Sequence, residues 1–287
     1  MKKARFDPFC FGEMGHEIRL VAPQYVKTFV RGDKTDRNDA VAIAECVTRP
    51  GMRFVALKSL SQQELQFVHC VRRRLVKSRT MLSNELRGIL AECGYAIPTG
   101  YGALKKAILA IVSDEKTQLA AATCELILEM HSEFLLLDEK ITKYEKQLMN
   151  NARENEVCRR LMKIPGIGPI TSTAVWAHVG SALLFKNGRQ FAAYLGLVPK
   201  QHSSGGKTRM QGISKRGDQY IRQLLIHGAR AVVRFSENKT DARSVWINRI
   251  DNERGRNKAC VALANKNARV IWALMARGEE YKVPLAA

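Results

Sequence analysis

Paired cysteines are missing from this 287-residue sequence. Its seven cysteines (Cys10, Cys46, Cys70, Cys93, Cys124, Cys158 and Cys260) are odd in number, far apart and never arranged as CxxC. That excludes a disulfide framework and a cysteine zinc cluster, and it points to a reducing compartment. The six histidines are equally scattered. Long apolar runs are absent as well: 164–185 carries no Asp, Glu, Lys or Arg, but Pro165, Gly166, Gly168 and Pro169 interrupt it, so it is no membrane span. The opening MKKARFDPF lacks the apolar segment of a secretory signal, and a cytoplasmic protein with no membrane association is expected. Acidic residues are the last scarcity, 27 against 47 Lys and Arg, for a formal net charge of +20.

What is present is a chain with enough apolar residues, 46%, to fold without metal or disulfide staples, in one large domain or a few small ones. Its charge is uneven. Residues 72–87 hold six basic residues against Glu85, residues 113–156 hold ten acidic against five basic, and residues 186–234 hold ten basic against Asp218. A basic run is by default a solvated surface. The third stretch mixes its charge with Gly, Ser and aromatic residues, a pattern better suited to contact with a polyanion, where neutralising phosphates makes binding salt-dependent.

The alternation in HEIRLVAP (16–23) predicts a short strand, DKTDRNDAVAIAECV (33–47) a short helix ending before Pro50, and MRFVAL (52–57) a second strand. From Ser61 the period becomes helical, through Leu65, Val68, Val71, Leu75, Leu82, Leu86 and Ile89 to a stop at Gly94 and Pro98. Met130, Phe134, Leu137, Ile141, Tyr144 and Leu148 follow steps of four and three, a heptad seam. Two partners fit such a seam, an antiparallel helix of the same chain or a second subunit. Beyond Asn150 the pattern predicts mainly helix, as one unit over 159–180 and helices at 191–197, 218–234 and 257–277, with an irregular Gly/Ser/basic loop over 200–217.

Three constellations bear on chemistry. LMKIPGIGPITSTAVWAHVG (161–180) has the form of a helix-hairpin-helix, in which Gly166 and Gly168 let the backbone approach a phosphate near the next helix's N-terminus. The same hairpin also serves as plain packing. Asp36 and Asp39, three apart at a helix start, face one side and suit Mg²⁺, a cation that takes oxygen ligands. Acidic residues there equally act as caps and dipole partners. In HSSGGKTRMQGISKRGDQY (202–220), GGKT is no P-loop, because Gln201 stands where glycine is required. Ser203 or Ser204 is a candidate nucleophile, with Lys207, Arg209, Lys215 and Arg216 to neutralise a phosphate and His202 or His227 to accept a proton. The plain alternative is a linker.

Taken together, KTDRNDA (34–40), RRLMKIPGIGPITSTAV (159–175) and GRQFAAYLGLVPKQHSSGGKTRMQGISKRGDQYIRQLLIHGAR (188–230) resemble bacterial insertion-sequence transposases of the IS116/IS110/IS902 type. These have a RuvC-like DEDD domain and a separate serine-bearing transposase domain. The resemblance implies a site-specific recombinase that acts on DNA element ends and targets, guided by an RNA. Carboxylates hold Mg²⁺ beside a serine that forms a phosphoserine link to DNA. By motif match, Asp36 and Asp39 are the last two acidic ligands and Ser204 is the nucleophile. Assembly as a homodimer or homotetramer through a coiled coil is implied too.

The implied fold is mixed: a partial α/β RNase H-like (RuvC-like) segment over residues 1–58, long helices forming a coiled coil over 59–150, and a mainly α transposase domain with the helix-hairpin-helix and serine loop over 151–287. The family's two earlier acidic motifs have no counterpart here. Asp7, Glu13, Glu17 and Asp33 lie nearby without matching a motif, so an N-terminally truncated chain with little autonomous recombination is expected. The alternatives are a non-catalytic nucleic-acid-binding remnant and, more remotely, a Ser/His hydrolase.

Overall fold

The computed structural model describes residues 11–282 apart from 13, 34, 53 and 206; Asp7, Glu13, Cys10 and Gly206 therefore lie outside the described residues. The N-terminal part is a thin layer. Strand β1 (Leu20–Val21) pairs antiparallel with β2 (Phe54–Val55), and helices α1 (Pro23–Val26) and α2 (Asp36–Thr48) stand between them in sequence. Both expected strands form, two residues each, with no parallel pairing among the described residues. Only Ala42 and Cys46 of α2 are buried, while Val41, Ile43, Val55 and Leu57 remain exposed.

Two long helices follow. Helix α3 (Leu60–Glu92) spans 33 residues, about 50 Å at 1.5 Å per residue. It starts with a reciprocal capping box: Ser59 accepts from the Gln62 N–H, and the Gln62 side chain accepts from the Ser59 N–H. Helix α4 (Tyr101–Val112) leads into α5 (Ala121–Glu154), 34 residues long. Arg72 pairs with Glu145 at 2.5 Å and Arg79 with Asp138, a crossing order that makes α3 and α5 antiparallel.

The heptad seam is used inside the chain. Phe134, Leu137 and Ile141 are buried with Leu75, Leu82, Leu86 and Leu90 of α3 and with Leu104 and Ile108 of α4. Leu148 is fully buried against Leu65 and Ala177. Of the two partners that the spacing left open, the structure supplies the intramolecular one. Several cations of 72–87 are also engaged internally: Arg72 and Arg79 in the pairs above, and Arg87 donating to the carbonyls of Ile97, Pro98 and Gly100.

The C-terminal part is a helical cluster: α6 (Glu156–Met162), α7 (Pro169–Val179), α8 (Gly188–Tyr194), α9 (Gln219–Arg234), α10 (Ala242–Arg254) and α11 (Arg256–Arg277). Their shared core includes Leu161, Ile164, Phe191, Leu195, Ile221, Leu225, Ile247, Leu263 and Ile271. The 159–180 unit comprises α6, a turn and α7, the 191–197 helix lies earlier, at Gly188–Tyr194, and α10 is an additional helix. The 200–217 stretch, expected as an irregular loop, is instead a β-hairpin: β3 (Pro199–Ser204) against β4 (Lys207–Ile213). No described helix is long and apolar enough to cross a membrane.

Candidate functional site

The hairpin forms because Ser204 and Lys207 face each other across a two-residue link, Gly205-Gly206. Such links need positive φ, and Gly205 has φ 55°. The base is held firmly. The Ser214 N–H donates to the Val198 carbonyl at 2.8 Å and the Lys215 N–H to the Gly196 carbonyl at 3.1 Å. Arg222 donates from one Nη1 to the carbonyls of Leu195 and Arg216. Lys215 takes a left-handed φ of 54° there, and its side chain and that of Arg216 are exposed. Every residue of β3 is exposed, so the tip stands clear of the core.

The register sorts the predicted residues. Ser204 pairs with Lys207 and His202 with Arg209. Side chains alternate along a strand, so these four share one face of the ribbon, with directly opposed Cβ atoms roughly 5 Å apart. Gln201, Ser203 and Met210 take the other face, where Gln201 Nε2 donates to Ser203 Oγ at 2.8 Å. The Ser204 hydroxyl has no hydrogen-bond partner among the described residues. The two serines thus stand on opposite faces of the ribbon.

Asp36 and Asp39 open α2. Thr35 is its N-cap, its hydroxyl accepting from the Asn38 N–H at 3.2 Å; the cap role is filled by threonine rather than by either aspartate. Asp36 is exposed and Asp39 half-buried. No group of three or more His, Cys, Asp or Glu able to hold a metal occurs among the described residues. Both aspartates lie in the first turn of the helix, where their negative charge also complements the positive end of the helix dipole. No hydrogen bond among the described residues links these aspartates to the Ser204 hydroxyl.

Residues 156–179 form α6, a tight turn and α7, with Gly168 at the N-cap and Pro169 beginning the second helix. The two glycines differ. Gly166, φ 88°, faces inward, and a Cβ there would lie 2.7 Å from the Gly228 carbonyl oxygen on α9. A Cβ on Gly228 would overlap the Gly166 carbonyl oxygen. The turn is thus packed backbone to backbone, the plainer of the two roles that the sequence leaves open for Gly166. Gly168 is exposed with open space around it.

Behind this turn lies a polar network with no signature in the sequence. His69 of α3 is 1% exposed, its Nδ1 3.1 Å from the Tyr220 hydroxyl and its Nε2 3.1 Å from Thr173 Oγ1. The Thr173 hydroxyl donates to the Pro169 carbonyl at 2.7 Å. Its oxygen then accepts from Nε2–H, and Nδ1 accepts from the Tyr220 O–H. Burial, then the neighbouring His178 and Arg72, push the His69 imidazole down to about 3, so it is neutral. The network fixes α3, α7 and α9 relative to one another.

With this geometry described, comparison with known proteins is decisive. The model of the Transposase IS116/IS110/IS902 family matches residues 158–244, and that of a DEDD-type transposase domain matches 10–94. A "Probable family 20 transposase" of Pseudomonas aeruginosa is 49% identical over 271 residues, 94% of this chain and 80% of the relative. The chain belongs to the IS116/IS110/IS902 transposase family. The transposase for insertion sequence element IS1111A of Coxiella burnetii is 46% identical over 95% of this chain and 75% of its own length. That for IS1328 of Yersinia enterocolitica is 36% identical over 93% and 79%. The family acts in DNA transposition, and its DEDD-type domain points to dependence on a divalent metal.

Proposed function

We propose that this transposase-family chain cuts and rejoins DNA through Ser204. What supports the reading is the ribbon face that carries Ser204 with Lys207 opposite and His202 and Arg209 one pair further down. In the step proposed, Ser204 Oγ attacks a backbone phosphorus, and a P–O ester bond to the DNA sugar breaks as the Ser–O–P bond forms. The serine proton passes to a base on the same face, His202, and the leaving sugar oxygen gains a proton. Lys207 and Arg209 hold positive charge beside the phosphate as its negative charge grows. Lys215 and Arg216, exposed at the rigid base, hold the flanking backbone, and Gly168 offers a second backbone contact at α7.

Asp36 and Asp39 would hold Mg²⁺; when bound, it lowers the energy of a serine alkoxide and of charge on the transferring phosphate. The reading brings the aspartates and Ser204 together in an assembly of two or four copies. The seam is already used, so contact falls on other faces; α5 exposes Leu128 and Leu135, seven residues apart. A guide RNA as second nucleic-acid partner accords with a chain of net charge +20.

The test mixes the protein with element-end DNA, the element's RNA and Mg²⁺, and looks for a protein–DNA adduct on a denaturing gel. The adduct is expected to vanish in Ser204→Ala and persist in Ser203→Ala. Salt-sensitive DNA binding without any adduct would instead establish the non-catalytic reading, which the pair of carboxylates, rather than a full set, favours.

A further inference from the structure

A cleft of about 1850 Å³ opens on the C-terminal cluster, walled by α10 and α11, with the α8 start at one end and Pro199 and Gln211–Ile213 of the hairpin base on its rim. Nine cationic side chains line it against three carboxylates. Two of those carboxylates are engaged, Glu280 with Lys163 at 2.5 Å and Glu279 with Arg277 at 3.5 Å.

The cations at its floor are without carboxylate partners. Arg243 is 8% exposed. One Nη2 donates to the Tyr281 hydroxyl, whose ring lies 5.4 Å from the guanidinium, while Nε has no hydrogen-bond partner. The nearby Asp241 is occupied as the α10 cap, accepting from the N–H groups of Arg243 and Ser244 and from the Ser244 hydroxyl. Lys266 stands 4.4 Å over the Trp246 ring. Burial, then Arg243 and Arg269, lower its pKa. Among the described residues no ion pair engages Arg243, Lys266 or Arg269. Arg269 is exposed, but Arg243 and Lys266 are partly dehydrated like charges with one donor unmatched, an arrangement that is destabilising until an anion joins it.

We propose that this cleft holds a single-stranded segment of nucleic acid, gripped through its phosphodiester backbone by the buried Arg243 and half-buried Lys266 and by the exposed Arg249, Arg254, Lys258 and Arg269 around them. The volume is roughly two to six times that of a small-molecule pocket, so a polymer rather than a nucleotide fills it. A recess favours a single strand, which can thread its phosphates inward, over a duplex, whose phosphates lie on a convex cylinder. Both tryptophans carry cations over their rings, Lys266 on Trp246 and Arg277 on Trp272. They hold the cations in place rather than stack bases, so strands of DNA and RNA of one sequence bind alike. The strand leaves the cleft at the hairpin base. The inference shares with the Ser204 reading only that the chain handles nucleic acid, and it holds whether or not a covalent adduct forms.

The experiment uses the full chain carrying Ser204→Ala, with fluorescent single-stranded DNA, single-stranded RNA and duplex DNA of the same sequence, read by anisotropy across a salt series. Arg249→Gln, Arg254→Gln and Lys258→Gln are combined, three exposed positions whose change leaves the fold intact, as a melting curve verifies. Lys266→Gln is the second variant. The triple variant is expected to bind both single strands about tenfold or more weakly and to lower the log–log salt slope by about 2, near 0.7 for each lost phosphate contact. Duplex binding should stay within about twofold. Photo-crosslinks from a thiopyrimidine strand should fall in 243–282. Unchanged single-strand affinity, an equal loss on duplex, or crosslinks confined to 199–213 would overturn the proposal. So would a parent chain that binds no single strand, and that result leaves the adduct assay at Ser204 standing.

Discussion

At the scale of single residues, His69 and Ser204 are opposites. His69 is buried and neutral in the fold, whereas an unfolded chain protonates it near pH 6.5. Below that pH the unfolded state binds a proton that the fold refuses, so stability falls as pH drops from about 6.5 towards 3. Urea midpoints measured between pH 7 and 5, above most carboxylate titration, should decline in the parent and decline less in His69→Phe. Ser204 touches nothing in the core, so Ser204→Ala should shift stability by no more than about 0.5 kcal/mol. The same substitution should remove any adduct, and the two readouts together separate chemistry from folding. Neither character was fully legible in the sequence. A histidine at a helical core position leaves no mark of its partners, because Thr173 and Tyr220 are more than a hundred residues away. The choice of Ser204 over Ser203 rests on motif likeness; the cross-strand register adds that the two serines stand on opposite faces of the ribbon.

At the scale of elements, legibility followed burial. Helices α3 and α5 show one apolar stripe over more than thirty residues each, and that stripe announces them. Phe134 sits fully buried in the seam, and Phe134→Ala should cost about 3–5 kcal/mol, measured by denaturant unfolding. The β-hairpin went unread because both its faces are in solvent. With no buried face, no apolar alternation is needed, and the Gly-Gly link was its one local signal. Helix α10 was missed for a related reason: ARSVWINRIDNER buries only Arg243, Ser244 and Ile247, too few to show a period. An isolated two-stranded ribbon is marginally stable, so limited proteolysis of the free protein should cut first within 199–213. Bound DNA should slow that cut, which timed digestion with and without duplex would reveal.

At the scale of the whole molecule, the long antiparallel helices form one core and the C-terminal helices another, bridged by Leu65, Leu148 and Ala177. Acidic residues cluster on the central helices, while the hairpin and the α10–α11 cleft carry the excess of cations. With six or more phosphate contacts, affinity for DNA should drop on the order of a thousandfold between 50 and 200 mM salt, as filter binding would measure. The C-terminal core is also closed by the contact of Gly166 with Gly228. Gly228→Ala forces that contact apart and should destabilise the chain by about 3 kcal/mol, read as a lower urea midpoint. The contact has a genetic corollary. Where two side chains meet, a larger residue on one side is commonly suppressed by a smaller one opposite. Here both partners are already the smallest residue there is, so a screen for revertants of Gly228→Ala should return glycine at 228 and no compensating change at 166.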